Sequence, residues 1–175
     1  MGSEMCIRDR TIDIVVGKLS VFHWELIQKR GKSAIDLDLW QEPNWESSSI
    51  GSAFGYPTEH KVANEENIAT LCLEVTADIQ TGLGLNEASI TLFSEFDEPH
   101  NYYFSGMSGG PIFLHDENSF IPLGIIYEGR PGSSSDLEDP DSASFISDNH
   151  ALIKGVTLNP NIFLNWLSDA GFVTK

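Results

Sequence analysis

Residues 104–113, Phe-Ser-Gly-Met-Ser-Gly-Gly-Pro-Ile-Phe, hold the most specific chemistry in this chain. Ser108 stands among Gly106, Gly109 and Gly110, and an apolar run follows at once. Glycine lets the backbone turn sharply and brings N–H groups close to a neighbouring side chain. A serine oxygen beside such donors suits acyl transfer, because the donors sit where negative charge develops on an attacked carbonyl. The hydroxyl is a poor nucleophile until a base takes its proton and a carboxylate orients that base. The remaining chain must therefore hold the loop rigidly and account for an acid and a base.

Length and charge bound what that frame can be. At 175 residues the chain makes one ordinary domain or two very small ones. No apolar run is long enough to span a membrane, so no membrane partner is expected. Acidic residues outnumber Lys and Arg by 26 to 10, and they are scattered rather than gathered in one tail. Nothing supplies a basic stripe for phosphates, which excludes nucleic acid as a partner and leaves a solvated acidic surface. The two cysteines, Cys6 and Cys72, show no metal-ligand spacing and no disulfide framework, and no cofactor or metal is expected.

Short β-like runs at 10–20-residue spacing predict an all-β antiparallel barrel. Residues 11–19, 50–57, 70–75 and 89–93 read as strands, and 111–114 and 121–127 as a hairpin around the turn 115–118. Residues 20–48 lack clean periodicity, and 129–150 read as a mobile acidic loop. Residues 151–156 form the closing strand. Asn159-Pro160 then caps a single good helix, with Ile162, Phe163, Trp166 and Leu167 on one apolar face and Gly171 as its stop.

Residues 1–10 match, in frame, the translation of a transposase sequencing adapter. They are expected to be an artefact, with the natural sequence starting near Thr11 in mid-gene and upstream residues missing. Cys6 is then not native, and Cys72 is read as a buried small hydrophobe.

The run Gly106-Met107-Ser108-Gly109-Gly110-Pro111 resembles the nucleophile loop of the trypsin-like (chymotrypsin-fold) serine peptidases. Residues 13–19, Asp-Ile-Val-Val-Gly-Lys-Leu, are similar to the segment that carries that family's catalytic aspartate, with Val15 where alanine is usual. The separation of 95 residues between Asp13 and Ser108 is comparable to the family's, whose order is histidine, aspartate, serine. Gly55-Tyr56-Pro57 resembles the strand that opens the second barrel in many bacterial members, and a closing strand followed by a helix also fits.

The resemblance implies a chymotrypsin-like six-stranded barrel, with residues 49–158 as the second barrel and 159–175 as the C-terminal helix. Residues 11–48 would be a remnant of the first barrel plus the linker between barrels. It implies a serine endopeptidase acting on polypeptides, with Ser108 as nucleophile, Asp13 as orienting acid, and the N–H groups of Gly106 and Ser108 as the oxyanion hole. Tyr102, six residues before the serine, falls at the base of the specificity pocket and disfavours a preference for Lys or Arg. Tyr127, Glu128 and Gly129 match the segment that pairs with the substrate backbone. Met107 replaces the aspartate that answers a newly cut N-terminus, so activation by that route is not expected.

The family's histidine lies upstream of the aspartate and is absent here, so this chain is expected to be inactive by the usual mechanism. His23 breaks the family order, and His60, His100, His115 and His150 read as structural. Two rival readings remain. Gly106-x-Ser108-x-Gly110 also fits the nucleophile elbow of α/β-hydrolases, which requires a helix after the serine. A trypsin-like fold kept as a catalytically inactive binding module is the other.

Overall fold

Alternation along one strand sets the frame. In Leu73–Ile79, Val75, Ala77 and Ile79 are buried, while Glu74, Thr76 and Asp78 between them face water. A period of two suits a strand with one face on a core. A computed structural model describes residues 4–9, 12–36, 38–43, 49–63, 68–80, 89–116, 119–133 and 147–173. Its strands are β1 (Glu4–Asp9), β2 (Ile12–Gly17), β3 (Ile50–Gly55), β4 (Lys61–Ala63), β5 (Ile68–Thr70), β6 (Leu73–Ile79), β7 (Ser89–Glu95), β8 (Pro111–Asp116), β9 (Ser119–Arg130) and β10 (His150–Thr157). The helices are α1 (Val21–Lys29) and α2 (Pro160–Asp169), with a single 3₁₀ turn at Thr58–His60.

Six strands close into a barrel in the order β10-β7-β6-β3-β8-β9, every neighbour antiparallel. Closure leaves the barrel without an unpaired outer strand. Leu92, Ile112, Leu114 and Ile153 are fully buried inside it. The β3 wall is made of small residues, and Gly51 leaves room for the Leu92 side chain, which a Cβ there would meet at 2.5 Å. Ser52 is buried on the same strand, its hydroxyl 3.0 Å from that of Thr76, so burial leaves it partnered. This is the six-stranded barrel with a C-terminal helix that the sequence predicts.

The chain divides into two compact units, Pro43–Leu158 and Met1–Glu42 with Asn159–Lys175. The first holds the barrel, and the β4–β5 ribbon is part of it. In the second, β1 pairs with β2 from Glu4↔Gly17 to Asp9↔Ile12, so the adapter-like residues lie in a hairpin. The Asn159 side chain accepts the Ile162 N–H at 2.8 Å, capping α2 as expected. Ile162, Phe163, Trp166 and Leu167 are half-buried while Leu164 and Asn165 are exposed. Phe163 packs on Trp40, and Asn161 donates to Glu42 at 2.8 Å.

Three local expectations need correction. Residues 21–29 are helical: Ser20 caps α1, but none of its residues is buried, so no clean apolar stripe marks it in the sequence. The expected strand 70–75 is two strands, because β5 pairs with β4 while the buried alternation of β6 begins only after Cys72. Cys72, read as a buried hydrophobe, is exposed at that break. Of the expected turn 115–118, His115 and Asp116 belong to β8, while 117–118, like 134–146, lie outside the described residues.

Truncating the barrel core should be costly. Leu92→Ala is expected to lower unfolding free energy by about 2–5 kcal/mol in urea titration, against about 0.5 kcal/mol or less for Val62→Ala at an exposed position.

Candidate active site

The loop before β8 is two turns placed back to back. Met107 N–H donates to the Phe104 carbonyl at 3.2 Å, and Gly110 N–H donates to the Met107 carbonyl at 3.0 Å. Phe104 and Met107 are both buried and belong to the barrel core, so the loop is pegged at two points. Gly106 has φ +92°, a left-handed conformation that side chains disfavour, and a Cβ there would collide with Thr58 Oγ1. Gly110 lies against the Phe54 carbonyl, where no Cβ fits. These two glycines are required by the geometry.

An account of the N–H groups from 104 to 110 shows what the loop presents. Phe104 donates to Pro131 at 2.9 Å, Ser105 to Gly132 at 3.2 Å and Gly109 to Ile126 at 2.8 Å. Met107 and Gly110 close the two turns. Only the N–H groups of Gly106 and Ser108 have no acceptor among the described residues. Both residues are exposed, so water satisfies these donors in the free protein. The pair left free is the pair the sequence reading assigned to the oxyanion hole.

The Ser108 hydroxyl is exposed and donates to the Tyr127 carbonyl at 3.1 Å. The loop forms one wall of a cleft of about 450 Å³, whose other residues include Phe54, Gly55, Tyr56 and Cys72. Cys72 was not assigned to this region from sequence, because only the break before β6 brings it there.

Tyr127, Glu128 and Gly129 continue β9 beyond the end of β8. Pairing with β8 ends at Pro111↔Ile125, while β10 continues alongside to Leu152↔Arg130. Among the described residues the segment therefore has a strand partner on one side only. Glu128 is bonded to Arg130 and, at 3.3 Å, to Lys154, its cross-strand partner. Partial burial pushes its carboxyl upward, but the hydrogen bonds and charges of Arg130 and Lys154 outweigh this and hold it below the usual carboxylate range. Neither basic residue was singled out from sequence, since the pairing depends on a register visible only in the sheet.

Tyr102 is half-exposed, its ring between those of His60 and His100 at 5.7 and 5.9 Å, and it does not line the Ser108 cleft. No imidazole is hydrogen-bonded to Ser108 among the described residues. His23 lies on α1, 2.8 Å from Ser20 Oγ, and His115 is exposed on β8. Asp13 lies in β2, backbone-paired with Arg8, and its side chain falls outside the described residues. The chain after Ser108 enters strand β8, not the helix that a nucleophile elbow requires. Compared with protein families, curated proteins and solved structures, the chain matches none.

The lowered Glu128 pKa fixes the sign of a pH effect. A depressed carboxylate stabilises the fold above its unfolded value, near 4.5, and that contribution is lost as pH falls through the lower folded value. Glu128→Gln is expected to cost on the order of 1 kcal/mol at pH 7 in urea unfolding, with the difference from wild type shrinking below pH 4.5.

Proposed function

We propose that this chain carries the nucleophile half of a serine endopeptidase, with Ser108 attacking the scissile carbonyl to form an acyl-enzyme. The observation that carries the reading is the hydrogen-bond account of residues 104–110: two N–H groups without acceptors, on either side of Met107 and next to an exposed serine hydroxyl. As the carbonyl becomes tetrahedral, its oxygen gains charge and is received by the Gly106 and Ser108 N–H groups, which are already fixed by the buried Phe104 and Met107. The substrate backbone lies as an added strand along the unshared edge of Tyr127–Glu128–Gly129. The Glu128 side chain, held by Arg130 and Lys154, keeps that edge straight.

The reaction also needs a general base. None of the five histidines serves, and the reading assigns the base to a histidine outside this sequence, oriented by Asp13. The chain by itself is then catalytically silent. A trypsin-like fold acting as a binding module is the alternative that the Ser108 hydroxyl's bond to a carbonyl, rather than to a base, favours.

The upstream-extended protein separates the two. It is expected to label with a fluorophosphonate on Ser108, and Ser108→Ala is expected to abolish labelling and lower peptidase kcat/KM by at least ~10⁴-fold. Absence of labelling in the extended wild-type protein would favour the binding module.

A further inference from the structure

His100 and His150 are joined in a way that neither nucleophile nor substrate edge requires. The His100 backbone N–H donates to the Asp148 carbonyl at 3.1 Å, and Phe96 N–H donates to the Asn149 carbonyl at 2.8 Å. The His100 ring then makes two bonds of opposite kind. Its Nδ1 accepts the Tyr102 N–H at 2.9 Å, so Nδ1 must be unprotonated. Its Nε2 is 2.9 Å from the His150 carbonyl, which can only accept, so Nε2 bears the proton. Both contacts specify the same neutral tautomer. Asn101, between the bonded residues, takes φ +55°.

His150 Nδ1 has two neighbours on Ser147, its N–H at 3.3 Å and its Oγ at 3.2 Å. The Nε2 of the same ring lies 3.7 Å from the Glu95 carboxylate. The ring of His100 is surrounded by Phe96, Tyr102 and Phe104, with centroids at 5.2, 5.9 and 5.7 Å. It also lines a cavity of about 380 Å³ with Tyr102, Phe104, Glu74 and Ala151. Four residues beyond His100 comes Phe104, the first peg of the Ser108 loop.

We propose that His100, paired with His150, is an acid-released clasp that positions Tyr102 and the segment leading into the Ser108 loop. A neutral imidazole holds the Tyr102 N–H. Protonation places a second N–H at Nδ1, where it faces the donor it had accepted from, and the bond is lost. At His150 the Ser147 hydroxyl, 3.2 Å from the same Nδ1, can accept the new N–H, so the release is confined to His100. The charged and titratable groups around the pair are Asp97 and Glu98 on its own segment, Tyr102 and His60 across the stack, Glu74 on β6, and Glu95 and Asp148 beside His150. Glu95, whose carboxylate lies 3.7 Å from His150 Nε2, faces the positive charge that protonation places on that ring. The proposal concerns backbone position and stands whether or not Ser108 reacts.

NMR titration of this chain from pH 7.5 to 5 tests it. Imidazole ¹⁵N shifts at pH 7.5 should report the Nε2–H tautomer for His100. The Tyr102 amide shift should move with the His100 ring midpoint, and its hydrogen exchange, corrected for intrinsic rate, should rise about tenfold. His100→Asn, whose Oδ1 can accept the same N–H without titrating, should keep Tyr102 protected across the range. His100→Phe, which keeps a ring but no acceptor, should leave Tyr102 unprotected even at pH 7.5 while the Leu92 and Ile153 amides stay protected. An Nδ1–H tautomer, a His100 that stays neutral to pH 5, or a Tyr102 amide indifferent to His100 titration would each overturn the proposal.

Discussion

Met107 turns its side chain into a barrel interior built, Phe104 apart, from strand residues, and the loop around it has little freedom once that side chain is buried. Burial of a methionine contributes about 1.5–3 kcal/mol, enough to hold a seven-residue loop that has only two internal turn bonds. Ser108, the next residue, is exposed. The two turns that share Met107 use its N–H and its carbonyl, and the surrounding carbonyls take the N–H groups of Phe104, Ser105 and Gly109. The donors left over are those of Gly106 and Ser108. The presentation of these two groups is thus a by-product of how the loop is anchored.

The barrel supplies the other side of the arrangement. β9 is long because it pairs first with β8 and then only with β10, and its last residues run past Ser108 with one edge unshared. Tyr127 gives its carbonyl to the serine hydroxyl, which ties the strand to the loop. Glu128 between Arg130 and Lys154 fixes the outer face of the same strand. A preorganised pair of donors beside a rigid strand edge is what acyl transfer to an extended peptide requires.

Much of this was legible before any coordinates. Short β-like runs at 10–20-residue spacing, separated by turn residues, foretold the barrel, although the period-two burial of β6 runs beyond the strand expected at 70–75. The α2 cap at Asn159 was legible too, since its side-chain bond is local. The α1 helix was not, because only Trp24 and Ile27 are half-buried on it, which leaves no clean apolar stripe in its sequence. The exposure of Cys72 and the Glu128–Lys154 pair were also hidden. The first depends on where one sheet ends and another begins, the second on a register spanning 26 residues. At the loop, the resemblance to trypsin-like peptidases implied Gly106 and Ser108, and the donor account shows that those two N–H groups have no acceptor among the described residues. The histidine pair escaped notice because each ring is held by backbone groups, which carry no sequence signature.

A crystal structure of the upstream-extended protein after reaction with a peptidyl phosphonate tests the central claim most directly. The expected result is a covalent bond to Ser108 Oγ, with the phosphonyl oxygen about 2.7–3.1 Å from both the Gly106 and Ser108 nitrogens and Met107 still buried. An adduct whose oxygen points to solvent, or a loop in which either N–H has turned to a protein carbonyl, would contradict it.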